Sequence, residues 1–173
     1  MKISTFMKFA ALSALLFAGA CTTKEQVAAT PPPPPPAAAP APAPRPPGVT
    51  PGSVQDFKVN VGDTVHFAFN EYAIQDNDKS TLQKQATWLN RYPAVQISIE
   101  GHCDERGTRE YNLALGARRA NAVKEFLVSL GVNTSRLQTV SYGKERPICT
   151  ESNEDCWAQN RRGISTITGG ATS

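Results

Sequence analysis

At 173 residues the chain has room for one folded domain with extensions, and not for a large multidomain enzyme. Its formal charge of +3 falls almost to neutrality once Lys2 and Lys8 are set aside. The remaining basic residues form no long run, only pairs such as Arg118-Arg119 and Arg161-Arg162, so the electrostatic footprint of a nucleic-acid binder is excluded.

The amino terminus reads as an export signal. Lys2 and Lys8 precede an apolar run over residues 9–17, too short to span a bilayer, followed by Ala18-Gly19-Ala20-Cys21. Small residues directly before a cysteine resemble a bacterial lipobox, with 1–20 removed and Cys21 becoming the lipidated first residue. Ala18-x-Ala20 also suits an ordinary signal peptidase, which would leave a secreted form with a free Cys21. Thr22, rather than an aspartate, after the cysteine resembles an outer-membrane address.

Residues 21–52 form a linker. Of the 14 prolines, 12 fall between Pro31 and Pro51, and no apolar periodicity survives there. Extended polyproline of roughly 3.1 Å per residue would let residues 22–53 reach about 100 Å. The composition fits a tether and equally a protease-resistant spacer.

From residue 53 to 173 the pattern is globular. Residues 56–61 (DFKVNV) alternate, Gly62-Asp63 suggests a tight turn, and residues 65–69 (VHFAF) read as a strand. Residues 81–92 have helical spacing with Leu82, Gln85, Ala86 and Leu89 on one face; Asp78 or Ser80 is the expected cap and Pro93 the stop. Val95, Ile97 and Ile99 alternate in a strand over 95–100. A helix over about 110–130 carries Leu113, Ala120, Val123, Leu127 and Leu130 in a stripe and ends at Gly131, with Val132 packing back. Residues 137–141 and 163–168 supply two more strands, joined by a loop. The fold class is α+β: two layers in the order β-α-β-α-β-β, with helices on one face of a mixed sheet.

The stretch 100–107 (EGHCDERG), with Thr108, Tyr111, Asn112, Leu115, residues 116–120 (GARRA), Gly131, residues 141–143 (SYG), Pro147 and residues 160–162 (NRR), closely resembles the OmpA-like peptidoglycan-binding domain. Within that family it resembles the peptidoglycan-associated lipoproteins. The resemblance implies a diaminopimelate-binding aspartate at Asp104 and a binding arginine at Arg119. Diaminopimelate presents an ammonium and a carboxylate on one carbon at the end of a flexible chain. A carboxylate accepts from the first, a guanidinium forks onto the second, and N–H groups at the following helix start can add donors. Phe69 and Leu115 are candidate apolar walls, and Thr108 and Asn112 candidate loop-orienting residues. Asn70 stands where the family commonly has aspartate, and Cys103 where it usually has threonine. Read on spacing alone, Asp104 is a loop cap, Arg119 an exposed helix arginine, and Glu105 with Arg106 a surface ion pair. Arg162 is expected to brace the sheet, while Arg161 has no assigned role.

An exported chain makes a disulfide plausible, and Cys149 with Cys156 flanks a polar loop, leaving Cys103 free. The rival use, a metal site of His102, Cys103, Cys149 and Cys156, has no short ligand pair behind it. No metal or cofactor is expected. Catalysis is not expected either: no nucleophile or phosphate-loop motif occurs, and Asp104 and Glu105 are adjacent rather than opposed, which leaves peptidoglycan hydrolysis a poor alternative. The resemblance implies as partners the peptidoglycan stem peptide, TolB with other Tol proteins, and the outer membrane through the lipid. An interaction module that binds TolB with little affinity for peptidoglycan is the other alternative. The expected place is a lipid-anchored outer-membrane protein with its domain in the periplasm, serving envelope integrity and cell division.

Overall fold

The computed structural model describes residues 48–172. The signal-peptide and Cys21 readings, and the linker up to residue 47, lie outside the described residues.

Residues 56–61 are helical, not a strand. Ser53 caps a short turn, α1 (Val54–Asp56), which continues as a π-helical stretch over Phe57–Val61 and ends at Gly62, φ 89°. Its polar–apolar alternation buries only Phe57, against Trp88 at 4.9 Å between ring centroids. Asp56 fixes the turn by accepting from Gly52 N at 2.8 Å and Trp88 Nε1 at 2.9 Å. Over six residues, a period of two does not separate a strand from an irregular helix anchored at one end.

Strand β1 is short, Thr64–His66. It stops before residue 69 because the chain turns at Asn70, which has φ 59°, a left-handed conformation that asparagine tolerates. Helix α2 runs Asp76–Arg91, starting earlier than its apolar spacing indicates because its first turn is polar. Gln75 is its cap residue, and Asp78 instead accepts from the main-chain N–H of His66. Strand β2 (Gln96–His102) leads through the loop to helix α3 (Arg109–Ser129), and strand β3 (Leu137–Gly143) follows a single 3₁₀ turn. Gly131, φ 89°, ends α3, and Val132 N bonds back to Leu127 O with its side chain buried. The link between β3 and the last strand, β4 (Arg162–Gly169), contains helix α4 (Glu154–Asn160), where the sequence reading has only a loop. Asn153 caps α4, and Cys149 and Cys156 are joined by a disulfide with Cα atoms 5.2 Å apart.

The sheet is mixed, in the order β1-β4-β2-β3, with β2 and β3 parallel and β4 antiparallel to both β1 and β2. Strands β1 and β2, joined through α2, are therefore not neighbours; β4 lies between them. Val95, just before β2, and Ile97 and Ile99 on it point into one core with Leu82, Ala86 and Leu89 of α2 and Ala120, Val123 and Leu127 of α3. The same alternation turns Gly101 and Cys103 toward α3, and Glu100 and His102 to the other face. Gly101 has no side chain to hold α3 off: a Cβ there would lie 1.8 Å from Gly116 O. This contact of main chain on main chain sets how deeply the start of α3 sits over the end of β2, where the candidate site lies.

Candidate functional site

Asp104, three residues beyond Gly101, and Arg119, three beyond Gly116, line one cavity of about 220 Å³. Phe69, Asn70, Asn112 and Leu115 line it too, together with Cys103, Arg106, Gly107 and Tyr111. Thr108 is not in the wall. It caps α3, its hydroxyl accepting from Tyr111 N at 3.2 Å. Asn112 is buried and donates to the carbonyls of Arg106 and Thr108 at 2.8 and 3.0 Å, so it pins the loop from beneath. At the mouth, Tyr111 donates its phenol to Asn70 Oδ1.

Spacing alone describes Asp104 in part, since its Oδ1 does cap a loop N–H, that of Arg106 at 3.1 Å, but it misplaces Arg119. Arg119 is buried, at 0% exposure, with Nε donating to Glu71 O (2.8 Å), Nη1 to His102 O (2.7 Å) and Nη2 to Ala68 O (3.1 Å). It therefore ties the turn after β1 to the end of β2, with Phe67 beneath its guanidinium. Asp104 is 4% exposed. Burial pushes its carboxyl up, but hydrogen bonds from Arg106, with a further one from Arg161, hold it below the usual carboxylate range.

Arg106 is paired with Asp104, not Glu105. Its Nη2 lies 2.7 Å from Oδ2 and its Nε 3.2 Å from Oδ1, while its guanidinium stacks over Phe69 at 4.1 Å and Trp157 at 4.0 Å. Glu105 instead accepts from Trp157 Nε1 at 2.9 Å. Arg161, unassigned from sequence, is buried behind Asp104. It donates from Nε to Phe67 O (3.0 Å), from Nη2 to Glu154 (2.7 Å) and from Nη1 to Asp104 (3.5 Å). Arg162 braces main chain, donating to the carbonyls of Asn160 and Arg146. Of the N–H groups expected as anion donors, Arg106 N bonds Asp104 Oδ1 and Tyr111 N bonds its cap. Cys103 is a buried thiol whose Sγ lies 3.4 Å from Asn112 O, and burial raises its pKa. Among the described residues no cluster of His, Cys, Asp and Glu fits a metal ion, and no helix is long and apolar enough to cross a membrane.

On the opposite face of the sheet, His102 is 2% exposed, with Nε2 3.4 Å from Glu100 and Nδ1 without a partner among the described residues. Burial, aided by the charge of Arg162, lowers its imidazole to about 4 despite Glu100. An unfolded chain, with histidine near ~6.5, binds a proton between pH ~6.5 and 4 that the folded chain refuses. The stabilisation is therefore whole above about pH 6.5 and shrinks as pH falls toward 4, by on the order of 3 kcal/mol. Unfolding midpoints measured across this window should show that slope in the wild type and lose it in His102→Gln; equal slopes would place the titration elsewhere.

A helix-covered mixed sheet with a buried acid and a buried arginine at the end of β2 defines an OmpA-type domain. The OmpA family model matches residues 66–161. The peptidoglycan-associated lipoprotein of Mesorhizobium japonicum is 57% identical over 120 residues, 69% of this chain and 71% of that protein. That of Brucella melitensis is 56% identical over 120 residues, with the same shares. Among solved structures, the peptidoglycan-associated lipoprotein of Burkholderia pseudomallei superposes with a TM-score of 0.60 at 44% identity, covering 61% of this chain and 90% of that one. The C-terminal domain of Helicobacter pylori MotB gives 0.58 at 25%, covering 62% and 84%. The chain belongs to the OmpA family and, within it, to the peptidoglycan-associated lipoproteins.

Proposed function

We propose that the domain binds the diaminopimelate residue of peptidoglycan stem peptides without cleaving them, and that lipid at Cys21 and the proline-rich linker tie the outer membrane to the cell wall through it. The observation that carries this reading is a single small cavity with a buried carboxylate, buried guanidinium and apolar walls. Asp104 accepts from the ligand's ammonium, Arg119 donates to its carboxylate through N–H groups beyond its three main-chain bonds, and Phe69 and Leu115 flank the methylene chain. Asn70 offers a neutral acceptor at the rim in place of an acidic one. The site is poorly suited to catalysis. Hydrogen bonds from Ser152 and Trp157 hold Glu105 low, as arginines hold Asp104 low, so neither is a proton donor at neutral pH; the Cys103 thiol is pushed the other way, away from a nucleophilic thiolate.

Calorimetric titration of the full chain in detergent micelles, with a diaminopimelate stem peptide, tests this directly. Binding should be saturable and fall by roughly 10- to 100-fold in Asp104→Asn, as loss of one charged hydrogen-bond partner implies. No heat with the wild type, or an unchanged affinity in the variant, would sink the proposal. A second use is favoured by the exposed rings of Phe69 and Tyr111 at the mouth and Tyr72 in the adjoining segment, 57%, 42% and 49% exposed. We assign these to docking of TolB within a Tol–Pal system that serves envelope integrity and division, in competition with the stem peptide. The same titration against TolB, with and without saturating peptide, reads that competition: undiminished TolB affinity rules it out.

A further inference from the structure

The carboxylate offered to the ligand's ammonium is already occupied. Asp104 Oδ1 accepts from Arg106 N at 3.1 Å and Arg106 Nε at 3.2 Å. Its Oδ2 accepts from Arg106 Nη2 at 2.7 Å and Arg161 Nη1 at 3.5 Å. A carboxylate has about four acceptor sites, so donors from this chain's own arginines fill it. An incoming ammonium has to displace one of them.

The donors differ in how freely they leave. The main-chain N–H is fixed by a loop that Asn112 pins, and Arg161 is buried with its other donors on Phe67 O and Glu154. The Arg106 side chain is held differently. It is 30% exposed and stacks over the flat faces of Phe69 and Trp157. Such stacking restrains a guanidinium perpendicular to its plane and leaves it free to turn within that plane.

We infer that Arg106 is the residue that makes the site selective for a ligand end carrying both an ammonium and a carboxylate: the ammonium takes Asp104, and the released guanidinium forks onto the ligand's carboxylate. One internal ion pair is thereby exchanged for two with the ligand. This rests on the diaminopimelate reading above and extends it from the pair Asp104 and Arg119 to a third residue. A lysine side chain brings only the ammonium. It displaces Arg106 from Asp104 and supplies no carboxylate in return, leaving Arg106 only its long pair with Glu154 Oε2, 3.8 Å from Nη1, on a carboxylate whose other oxygen accepts from Arg161 at 2.7 Å. The internal pair thus penalises an amine-only ligand before any contact with the ligand's carboxylate is counted, which is selectivity by an opposing interaction as well as an attractive one.

The test uses the full chain in detergent micelles and three stem peptides that differ only at one residue: diaminopimelate, its side-chain amide, and lysine. In the wild type the diaminopimelate peptide should bind at least about tenfold tighter than the other two, the scale of one charged hydrogen bond. In Arg106→Gln the lysine and amide peptides should bind more tightly than to the wild type, because Asp104 is freed, while the diaminopimelate peptide binds more weakly; the ratio falls several-fold, and what remains of it comes from Arg119. Arg106→Lys, a point charge without the fork, should fall between. A merely structural role would weaken all three peptides together and keep their ratio. A ratio retained in Arg106→Gln overturns the role of Arg106 while leaving the diaminopimelate reading in place. A wild type that binds none of the three overturns both.

Discussion

Replacing Arg119 with alanine is expected to destabilise the domain by about 3 to 5 kcal/mol, a large part of the ~5–15 kcal/mol that holds a typical domain together. The reason is its bonding, not its charge. Its guanidinium donates to the carbonyls of Ala68, Glu71 and His102, which belong to two segments far apart in sequence, and truncation leaves all three without that donor, the carbonyl of His102 in a buried place and the other two in partly buried ones. It also leaves a void over Phe67 and removes positive charge near Asp104. Arg119→Lys separates the two contributions: an ammonium keeps the charge but cannot span three carbonyls, so an intermediate loss is expected. Denaturant unfolding followed by the fluorescence of Trp88, buried in the core, measures both. A loss below about 1 kcal/mol in Arg119→Ala would show that the three bonds are replaceable by water. Because this arginine is structural, lost peptide binding in Arg119→Ala does not by itself demonstrate a ligand contact. Asp104→Asn and the Arg106 variants carry that burden.

The residues that were legible in the sequence are those whose role follows from periodicity or from a motif in fixed order. Val95, Ile97 and Ile99, or Leu82, Gln85, Ala86 and Leu89, declare a buried face, and each is buried. The same stretch that suggested the family also brings Asp104 and Arg119 to one cavity. What failed was local. The run DFKVNV alternates like a strand but is helical and anchored at Asp56, whose bond to Trp88 spans 32 residues and leaves no trace in the run itself. Helix α4 is seven residues long and has few apolar positions; its signal, an asparagine cap before two acids, was present in Asn153-Glu154-Asp155 but lay inside a loop-like composition. Arg106 was hardest to see. Two residues from Asp104, it folds back onto that carboxylate in a tight loop, and Phe69 and Trp157 arrive from elsewhere in the chain to stack with it. Sequence spacing encodes faces of helices and strands, not the path of a loop.

Gly101→Ala should be among the most damaging single methyl additions in the domain. An added Cβ would stand 1.8 Å from the carbonyl oxygen of Gly116 and 2.6 Å from its carbon, and these are main-chain atoms of α3 that no side-chain rotation can move away. Strand β2 is itself held on both sides, by β3 and β4, so relief requires shifting a helix against a three-strand assembly. Overpacking a core commonly costs about 1–3 kcal/mol; a clash between two fixed backbones should exceed this, about 4 kcal/mol or more, and leave the chain largely unfolded at 37 °C. Gly169→Ala is the matching control: it lies in β4 with nothing within 4 Å of its added Cβ, so its unfolding midpoint should stay put or rise slightly through lost freedom of the unfolded chain. If both alanines have the same small effect, the contact between Gly101 and Gly116 is not what positions α3. If Gly101→Ala alone collapses stability, the approach of α3 to β2 is fixed by that contact. The separation of Asp104 from Arg119, each three residues further along its own segment, then follows from the absence of two side chains.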